Sequence, residues 1–504
     1  MGTRQYKALL GILALVLLIV SGFLQQDLNR QRFDPVTGNG IPAQIENAPP
    51  VLAFTTVALG SFRGLIANAL WIRAMQLQDE GKFFEMVQLS DWITKLEPQF
   101  AQVWVHLAWN MEYNISVRFS APADRWRWVQ RGIELLRDQG IRYNPHEALI
   151  YRELAWAFQN KMGYYLDDAH QYYKSAWFLE MNTVMGPGAT NLSLLVNPPD
   201  DEFRQRAAVL RSRYKMDPAI MQEIESKYAR LEWRLPEPHA LYWGYVGLRE
   251  SKPDPRNKTT LINLRRVIYQ SLQALTFRGR VMSFTRDGRL QAVPILDLIP
   301  VVNETYLQMV QEEETGGRFS IEQAYRSFLR EAVYQLYINN RRAESEKWYE
   351  VYKTRFPEFL EGAKSLEEFA FLRIRDALDN QNGERIRVIL YGLIRTGLSE
   401  EALDREEDAR NYLAIARSIY DAYLGRFGAT ARVPLPPWEE MMREALCETL
   451  NPESGVYPEY AARIMTRRGI KSLAEVCPQL VVPTDISKAA TNKVQGFLPV
   501  APPK

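Results

Sequence analysis

The sequence predicts an all-α protein built as a helical-repeat solenoid, with an N-terminal transmembrane helix and one small β-hairpin. Three observations support this prediction. Apolar residues recur at helical spacing in many segments of the 504-residue chain. Small and large side chains alternate at intervals of three and four within helix pairs that return with a fixed period. An uncharged apolar run stands close to the first residue.

Composition and charge are those of an ordinary globular chain. Hydrophobic residues make up 46% of the sequence and charged residues 24%, a balance that permits a large core. The 62 basic and 60 acidic residues leave a formal net charge of +2. A balance this close argues against an overall electrostatic footprint for nucleic acid, so we expect no nucleic-acid partner.

The chain lacks the sequence motifs of the common metal, nucleotide and hydrolase sites. Its four histidines are not at metal-ligand spacing, and neither HExxH nor CxxC occurs. Glycine-rich phosphate loops and the GxSxG elbow are also absent. We therefore expect no metal, no cofactor and no catalytic residues. An enzyme with its site in residues 188–330 is the less favoured alternative.

Two cysteines, Cys447 and Cys477, stand 30 positions apart near the C-terminus. Two such residues can form a disulfide if the body of the protein lies outside the cytoplasm. They can equally be two buried thiols, because free cysteine is among the most buried residue types. The sequence leaves both arrangements open.

The N-terminal segment predicts a membrane anchor. Residues 8–24 form an uncharged run of 17 residues, ALLGILALVLLIVSGFL, preceded by Arg4 and Lys7. This length is at the short end for a spanning helix. The run ends without the small residues of a signal-peptide cleavage site, which favours an uncleaved, single-pass signal anchor. The two basic residues then orient the body to the outer side of the membrane.

A second apolar stretch covers residues 51–72 and carries Arg63 near its middle. A central arginine disfavours insertion into a bilayer by roughly 2.5–3.5 kcal/mol. We therefore predict an amphipathic or buried helix here. If this stretch also spans the membrane, the body returns to the cytoplasm.

Repeats are clearest between the second apolar stretch and residue 180. In the segment GKFFEMVQLSDWITKLEP, Gly81 is the turn glycine and Pro98 is the closing proline. The apolar seam between them consists of Phe83, Met86, Ile93 and Leu96. Trp104 follows Leu70 by 34 positions, the tetratricopeptide period. Tyr151 follows Trp104 by 47 positions. About 13 residues therefore interrupt the second unit, within SVRFSAPADRWRW.

These segments resemble tetratricopeptide repeats (TPRs). In the second and third units the signature positions are Trp104, Leu107, Ala108, Tyr151, Leu154, Ala155 and Phe158. The resemblance covers residues 67–180 and is looser over 238–280 and 328–357. The whole layout is similar to bacterial envelope-anchored TPR proteins of unestablished function. It implies a protein of the bacterial inner membrane whose body faces the periplasm.

The resemblance also implies a groove that binds a partner protein or peptide. Outward positions of the first helices in units two and three would line it: Trp109, Glu112, Tyr113, Arg152, Trp156 and Gln159. Trp109 and Trp156 occupy the same repeat position. Two aromatic rings and an arginine suit an extended peptide. Alternatively, the rings pack against the interrupting residues or against the helix at 51–72.

The function implied is a membrane-anchored, non-catalytic TPR scaffold for protein–protein interaction in the cell envelope. A structural subunit of a membrane complex is the alternative. The partner, the pathway and the oligomeric state do not follow from the sequence.

Seven segments follow from these patterns. They are a cytoplasmic stub with the anchor (1–33), a linker (34–50), TPR-like repeats (51–187), a divergent helical region (188–327), a second TPR-like region (328–428), a small helical region (429–481) and a proline-containing disordered tail (482–504). Within the divergent region, two apolar runs flank Arg286, Asp287 and Gly288. This turn predicts a β-hairpin near 281–293.

Overall fold

The computed structural model describes residues 62–186, 191–252, 254–284, 290–312, 317–339, 341–360, 362–379, 383–427, 434–450 and 458–477, together with Val16, Leu17 and Val20. The rest of the predicted anchor at 8–24, the linker and the C-terminal tail lie outside the described residues. The described part of the chain is all-α apart from one two-stranded sheet. None of the helices in these ranges has the length and apolar character needed to traverse a bilayer.

The chain divides into two compact units, Met1–Val103 and Trp104–Lys504. In the first unit, α1 (Phe62–Asp79) and α2 (Phe83–Leu96) are joined by a tight turn. Gly81 in this turn has φ of +72°, a conformation that only glycine adopts without steric cost. The predicted helix pair with its turn glycine is therefore confirmed. Residues 51–61 of the second apolar stretch lie outside the described residues.

Four further helices contain the second and third predicted repeats: α3 (Ala101–Trp109), α4 (Pro122–Glu134), α5 (Ala148–Trp156) and α6 (His170–Met185). The first three each run on into a π-helical turn, at Asn110–Ile115, Leu135–Gly140 and Ala157–Met162. A final helical turn, Ile141–Tyr143, follows the second of these. All seven signature residues named above are buried, as the predicted seam requires.

The predicted interruption of the second unit is not a separate loop. Residues 116–128 form a 3₁₀ turn, Ser116–Arg118, a short link at 119–121 and the beginning of α4. With its π turn, α3 continues to Ile115, and α4 continues through its own π turn into the final turn Ile141–Tyr143. A π turn adds only about one residue to a helix, so most of the added length lies in the extent of the two helices.

The remaining helices are α7 (Leu192–Val196), α8 (Asp201–Ser212), α9 (Pro218–Lys227), α10 (Pro236–Glu250), α11 (Lys258–Arg278), α12 (Ile299–Glu312), α13 (Arg318–Ile338), α14 (Arg342–Arg355), α15 (Leu366–Asp379), α16 (Gly383–Ala402), α17 (Glu406–Phe427), α18 (Trp438–Leu450), α19 (Pro458–Arg468) and α20 (Leu473–Val476). Short 3₁₀ turns occur at Pro255–Asn257, Leu296–Leu298 and Pro357–Phe359.

The predicted hairpin is confirmed. Strand β1 (Arg280–Phe284) pairs antiparallel with β2 (Leu290–Val293), and a bulge lies between Val281 and Ser283. The residues of the predicted turn, 286–288, lie outside the described residues. The helix pair predicted at 328–357 is also formed, as α13 and α14, although α13 already begins at Arg318.

A separate hydrophobic cluster organises the C-terminal part of the second unit. Leu393 of α16, Tyr423 of α17 and Ala445 of α18 belong to it. Cys447 and Cys477 form a disulfide, with their Cα atoms 4.9 Å apart, so the structure decides the question that the sequence left open. The disulfide joins the last residues described to α18.

Candidate functional site

The six residues predicted to line a peptide groove all lie on α3, α5 and their π-helical turns. Trp109 is 38% exposed and stacks on Tyr113, with ring centroids 5.6 Å apart. The hydroxyl of Tyr113 donates a hydrogen bond of 3.1 Å to Oδ1 of Asn160. These contacts bring the two π-helical turns together, so Tyr113 is already engaged within the fold.

Glu112 lies inside the core, where it is 3% exposed. It packs against Gly132, where a Cβ would come within 2.6 Å of the Glu112 side chain. Burial, reinforced by the negative charge of Glu153, raises the pKa of Glu112 well above its ordinary value, while Lys161 opposes the change. The interior therefore favours the neutral form of this carboxyl group.

The three predicted groove residues on α5 and its π turn have different environments. Arg152 forms an ion pair with its neighbour Glu153. Gln159 Nε2 donates hydrogen bonds to the carbonyl of Val267, at 3.0 Å, and to Oγ of Ser271, at 3.1 Å. Trp156 and Gln159 both line a cavity, whereas the other four predicted residues are not part of its wall. Two of the six predicted groove residues therefore line the cavity, and four do not.

This cavity has a volume of about 740 Å³ and lies within the second unit. Three helices contribute a stripe of side chains at intervals of three and four, which places each stripe on one helix face. The stripes are Gln270, Gln273, Ala274 and Phe277 on α11, Ala324, Ser327, Glu331 and Gln335 on α13, and Val388, Tyr391, Gly392 and Arg395 on α16. Its size is typical of ligand-binding pockets, which measure about 300–1,000 Å³.

The wall of the cavity is rich in arginine. It contains six arginines, Arg278, Arg330, Arg373, Arg385, Arg387 and Arg395, and three glutamates, Glu237, Glu331 and Glu448. The described wall residues therefore carry an excess of three positive charges. Arginine presents a planar fork of donors that matches carboxylate and phosphate groups. The chemistry of the wall suits an anion.

Each of the three glutamates is paired with arginine. Arg278 Nε lies 3.2 Å from Oε1 of Glu237, and Arg385 pairs with Glu331. Glu448 Oε1 accepts a hydrogen bond of 2.6 Å from Arg280 Nη2 and forms an ion pair with Arg395, whose Nη1 lies 2.9 Å away. Pairing of this kind stabilises the ionised carboxylates and fixes their orientation.

Arg387 is different from these paired residues. It lines the cavity and is only 8% exposed. No described residue forms a hydrogen bond or an ion pair with its side chain. None of its nitrogens is among the described buried atoms that lack a hydrogen-bond partner, so the guanidinium reaches the solvent of the cavity and can bind an anion there.

Close packing of α16 on the end of α13 shapes this part of the wall. A Cβ at Gly392 would lie 2.9 Å from Cγ1 of Ile338 and 3.0 Å from its carbonyl oxygen. Thr396 Oγ1 donates a hydrogen bond of 2.8 Å to the same carbonyl. Glycine is thus required at 392 for the backbones to approach, and the threonine hydroxyl fixes the contact.

Sequence reasoning missed the arginine-lined wall. Arg385, Arg387 and Arg395 lie in the segment RIRVILYGLIR, whose other residues are mostly apolar. Charges on the buried face of such a helix are uncommon. That feature of the sequence could have pointed to this site, although it could not show that α11 and α13 lie opposite.

Comparison with known proteins yields no family, curated protein or solved structure that matches this chain. The fold and the cavity therefore define the class only as an all-α protein of helical-repeat character with an arginine-lined cavity. In the described ranges, no group of three or more histidine, cysteine, aspartate or glutamate residues is arranged to hold a metal ion.

Proposed function

We propose that this protein is a membrane-anchored, TPR-like scaffold that acts by binding, without catalysis, and that its cavity receives a segment of a partner protein in the cell envelope. One observation carries the proposal: three helices, α11, α13 and α16, present stripes of mixed polar and apolar side chains to a single cavity of about 740 Å³. Helical repeats that stack side by side form concave surfaces of this kind, and such surfaces bind extended segments.

The pairing of the wall carboxylates supports binding over catalysis. A general acid or base must exchange a proton with a substrate that lies within hydrogen-bond distance. Glu237 and Glu448 are instead 2% and 1% exposed and bound to arginine. Among the described residues of the wall, Glu237 is the one glutamate within 188–330, and it is already engaged by Arg278.

The disulfide supports an extracytoplasmic body. Cysteine pairs persist in oxidising compartments and are rare in the cytosol. The bond between Cys447 and Cys477 therefore favours the proposed orientation, in which residues 8–24 anchor the chain in the inner membrane and the second unit faces the periplasm.

Capture of partners from native membranes tests the proposal, using a variant that fills the cavity. Ser327→Trp places a large ring on the α13 stripe. Ser226→Trp on α9 is a matched control, because both are exposed helical serines that donate to the carbonyl four residues earlier, and Ser226 is not part of the wall. We expect crosslinked partners to be retained by the control and lost from the cavity variant. Partners recovered equally with both would contradict the proposal.

The two predicted tryptophans give a second comparison. Trp156 lies in the cavity wall, whereas Trp109 stacks on Tyr113 away from it. Trp156→Ala should weaken partner capture more than Trp109→Ala does. The reverse order would favour the outer surface of α3 as the binding site.

Exposed apolar side chains in the first unit favour the second candidate, a structural subunit of a membrane complex. Leu65 and Ile72 of α1 are 66% and 61% exposed, and Phe84 of α2 is 56% exposed. Exposed apolar side chains of this size are common at protein or membrane contacts. Native gel electrophoresis of Leu65→Gln plus Ile72→Gln tests this candidate, since loss of a larger species in the double variant alone would support it.

A further inference from the structure

Two side chains that line the cavity have polar atoms without a hydrogen-bond partner in the described part of the chain. They belong to neighbouring helices of the wall. Arg387 of α16 is 92% buried, by its 8% exposure, and no described residue pairs with it. Gln335 of α13 is 2% exposed and its Nε2 donates to Glu331, at 2.9 Å. Its carbonyl oxygen Oε1 accepts no hydrogen bond within the described part of the chain. The wall therefore holds one cation with which a ligand can pair, whereas Gln335 Oε1 has almost no surface that a ligand could reach.

We infer that the partner segment received by the cavity is acidic, and that one of its carboxylates pairs with Arg387. This inference rests on the proposed function and specifies the chemistry of the segment. A glutamate or aspartate side chain accepts two parallel hydrogen bonds from a guanidinium fork. The three excess positive charges of the wall favour a segment with several carboxylates.

A peptide fits the wall better than a small anion does. Six amide side chains line the cavity: Gln159, Asn160, Gln270, Gln273, Gln335 and Asn339. Each amide offers both donors and acceptors, which match the N–H and C=O groups of an extended main chain.

Fluorescence anisotropy on the purified full-length chain tests the inference. The probe is a short labelled peptide of alternating glutamate and alanine, and its control replaces every glutamate with glutamine. We expect the wild-type chain to bind the acidic peptide at least about tenfold more tightly than the glutamine peptide, since charge-assisted hydrogen bonds are lost in the control. Equal affinity for the two peptides would overturn the inference without any variant.

Arg387→Gln isolates the residue itself. The variant should bind the acidic peptide about tenfold more weakly, and its thermal unfolding midpoint should not fall, because the charge it removes has no described partner. Arg387→Lys keeps the charge without the fork, so its affinity should lie between those of the wild type and Arg387→Gln. Unchanged affinity in Arg387→Gln would overturn the assignment. Competition by inorganic phosphate as strong as that by unlabelled peptide would show a small-anion site instead.

Failure of this inference is distinguishable from failure of the proposed function. If partner capture is lost in Ser327→Trp but retained in Arg387→Gln, the cavity binds a partner. In that case the partner segment is not recognised through the charge of Arg387. If both variants retain capture, the cavity is not the binding site and the proposed function fails with the inference. Loss of capture in both supports the two together.

Discussion

Arg395 Nη1 lies 2.9 Å from Oε1 of Glu448, and this ion pair joins α16 to α18 at the wall of the cavity. Arg280 of β1 reaches the same carboxylate, with Nη2 at 2.6 Å. Burial lowers the pKa of the Arg395 guanidinium, the charge of Arg280 lowers it further, and Glu448 counters these effects. Glu448 also follows Cys447 of the disulfide. One buried carboxylate therefore connects a strand, two helices and the C-terminal crosslink.

Removing the charge of Glu448 should strongly destabilise the second unit. In Glu448→Gln, Arg395 and Arg280 keep their charges and lose their buried counterion, which costs roughly 3–5 kcal/mol. Chemical denaturation followed by circular dichroism measures this loss. Glu439→Gln is the control, because Glu439 is exposed on the same helix, and we expect it to change stability by less than about 0.5 kcal/mol. Equal effects of the two substitutions would contradict the assignment.

Reduction of the disulfide should lower the free energy of unfolding by about 3–4 kcal/mol. Cys447 and Cys477 are 30 positions apart, and a crosslink closing a loop of this length removes that much conformational entropy from the unfolded chain. Unfolding of the wild type with and without reductant gives the difference. Reductant should leave Cys447→Ser plus Cys477→Ser unaffected, and a similar effect on that variant would point to a cause other than the disulfide.

Two helical glycines should respond to alanine in opposite directions. Gly392→Ala introduces a Cβ 2.9 Å from Ile338, and overpacking of this kind costs about 1–3 kcal/mol. Around Gly425 of α17, nothing lies within 4 Å of the added Cβ. Gly425→Ala should therefore stabilise by up to about 1 kcal/mol, because alanine is the better helix former. The measurement is the denaturation midpoint of each variant relative to that of the wild type. Stabilisation by Gly392→Ala would contradict the close approach of α16 to α13.

The raised pKa of Glu112 predicts a specific pH dependence of stability. The folded protein holds a proton on Glu112 at pH values where the unfolded chain, with an ordinary pKa near 4.5, has lost it. The stability contributed by this group is therefore fully present below pH 4.5 and is lost as the pH rises through the folded pKa. Glu112→Gln, which stays neutral, should remove this component.

The measurement is the free energy of unfolding of both proteins at pH 5 and pH 8. We expect the wild type to lose more stability than Glu112→Gln across that interval. The matched control is Glu346→Gln, at an exposed position of α14, which should follow the wild-type profile. Parallel profiles for the wild type and Glu112→Gln would show that Glu112 does not bind the proton.

The local pattern of apolar and turn residues was sufficient to predict many of the helices and turns. The helix pair around Gly81 and the hairpin at β1 and β2 were both predicted from turn residues and helical spacing. The interruption of the second unit was placed at residues 116–128, whereas the added length is spread along α3, α4 and their π-helical turns. A longer helix keeps the same apolar periodicity, so the spacing of the signature residues could not show where the added residues lie.

The candidate site was predictable only in part. Trp156 and Gln159 were proposed to face a partner and do line the cavity. Glu112 was proposed for the same groove and is buried against Gly132. Position along a helix gives the direction of a side chain relative to its own axis. It does not say which neighbouring helix covers that direction.

The sequence by itself determined that the chain is helical, where many of its helices turn, and which side chains face the seams, because these properties depend on neighbours within about two helical turns. The tertiary structure alone decided that α11, α13 and α16 share one cavity, that Cys447 meets Cys477, and that Arg387 is buried without a described partner. Those relationships join residues far apart in the chain. They are set by the packing of whole helices, which no local pattern encodes.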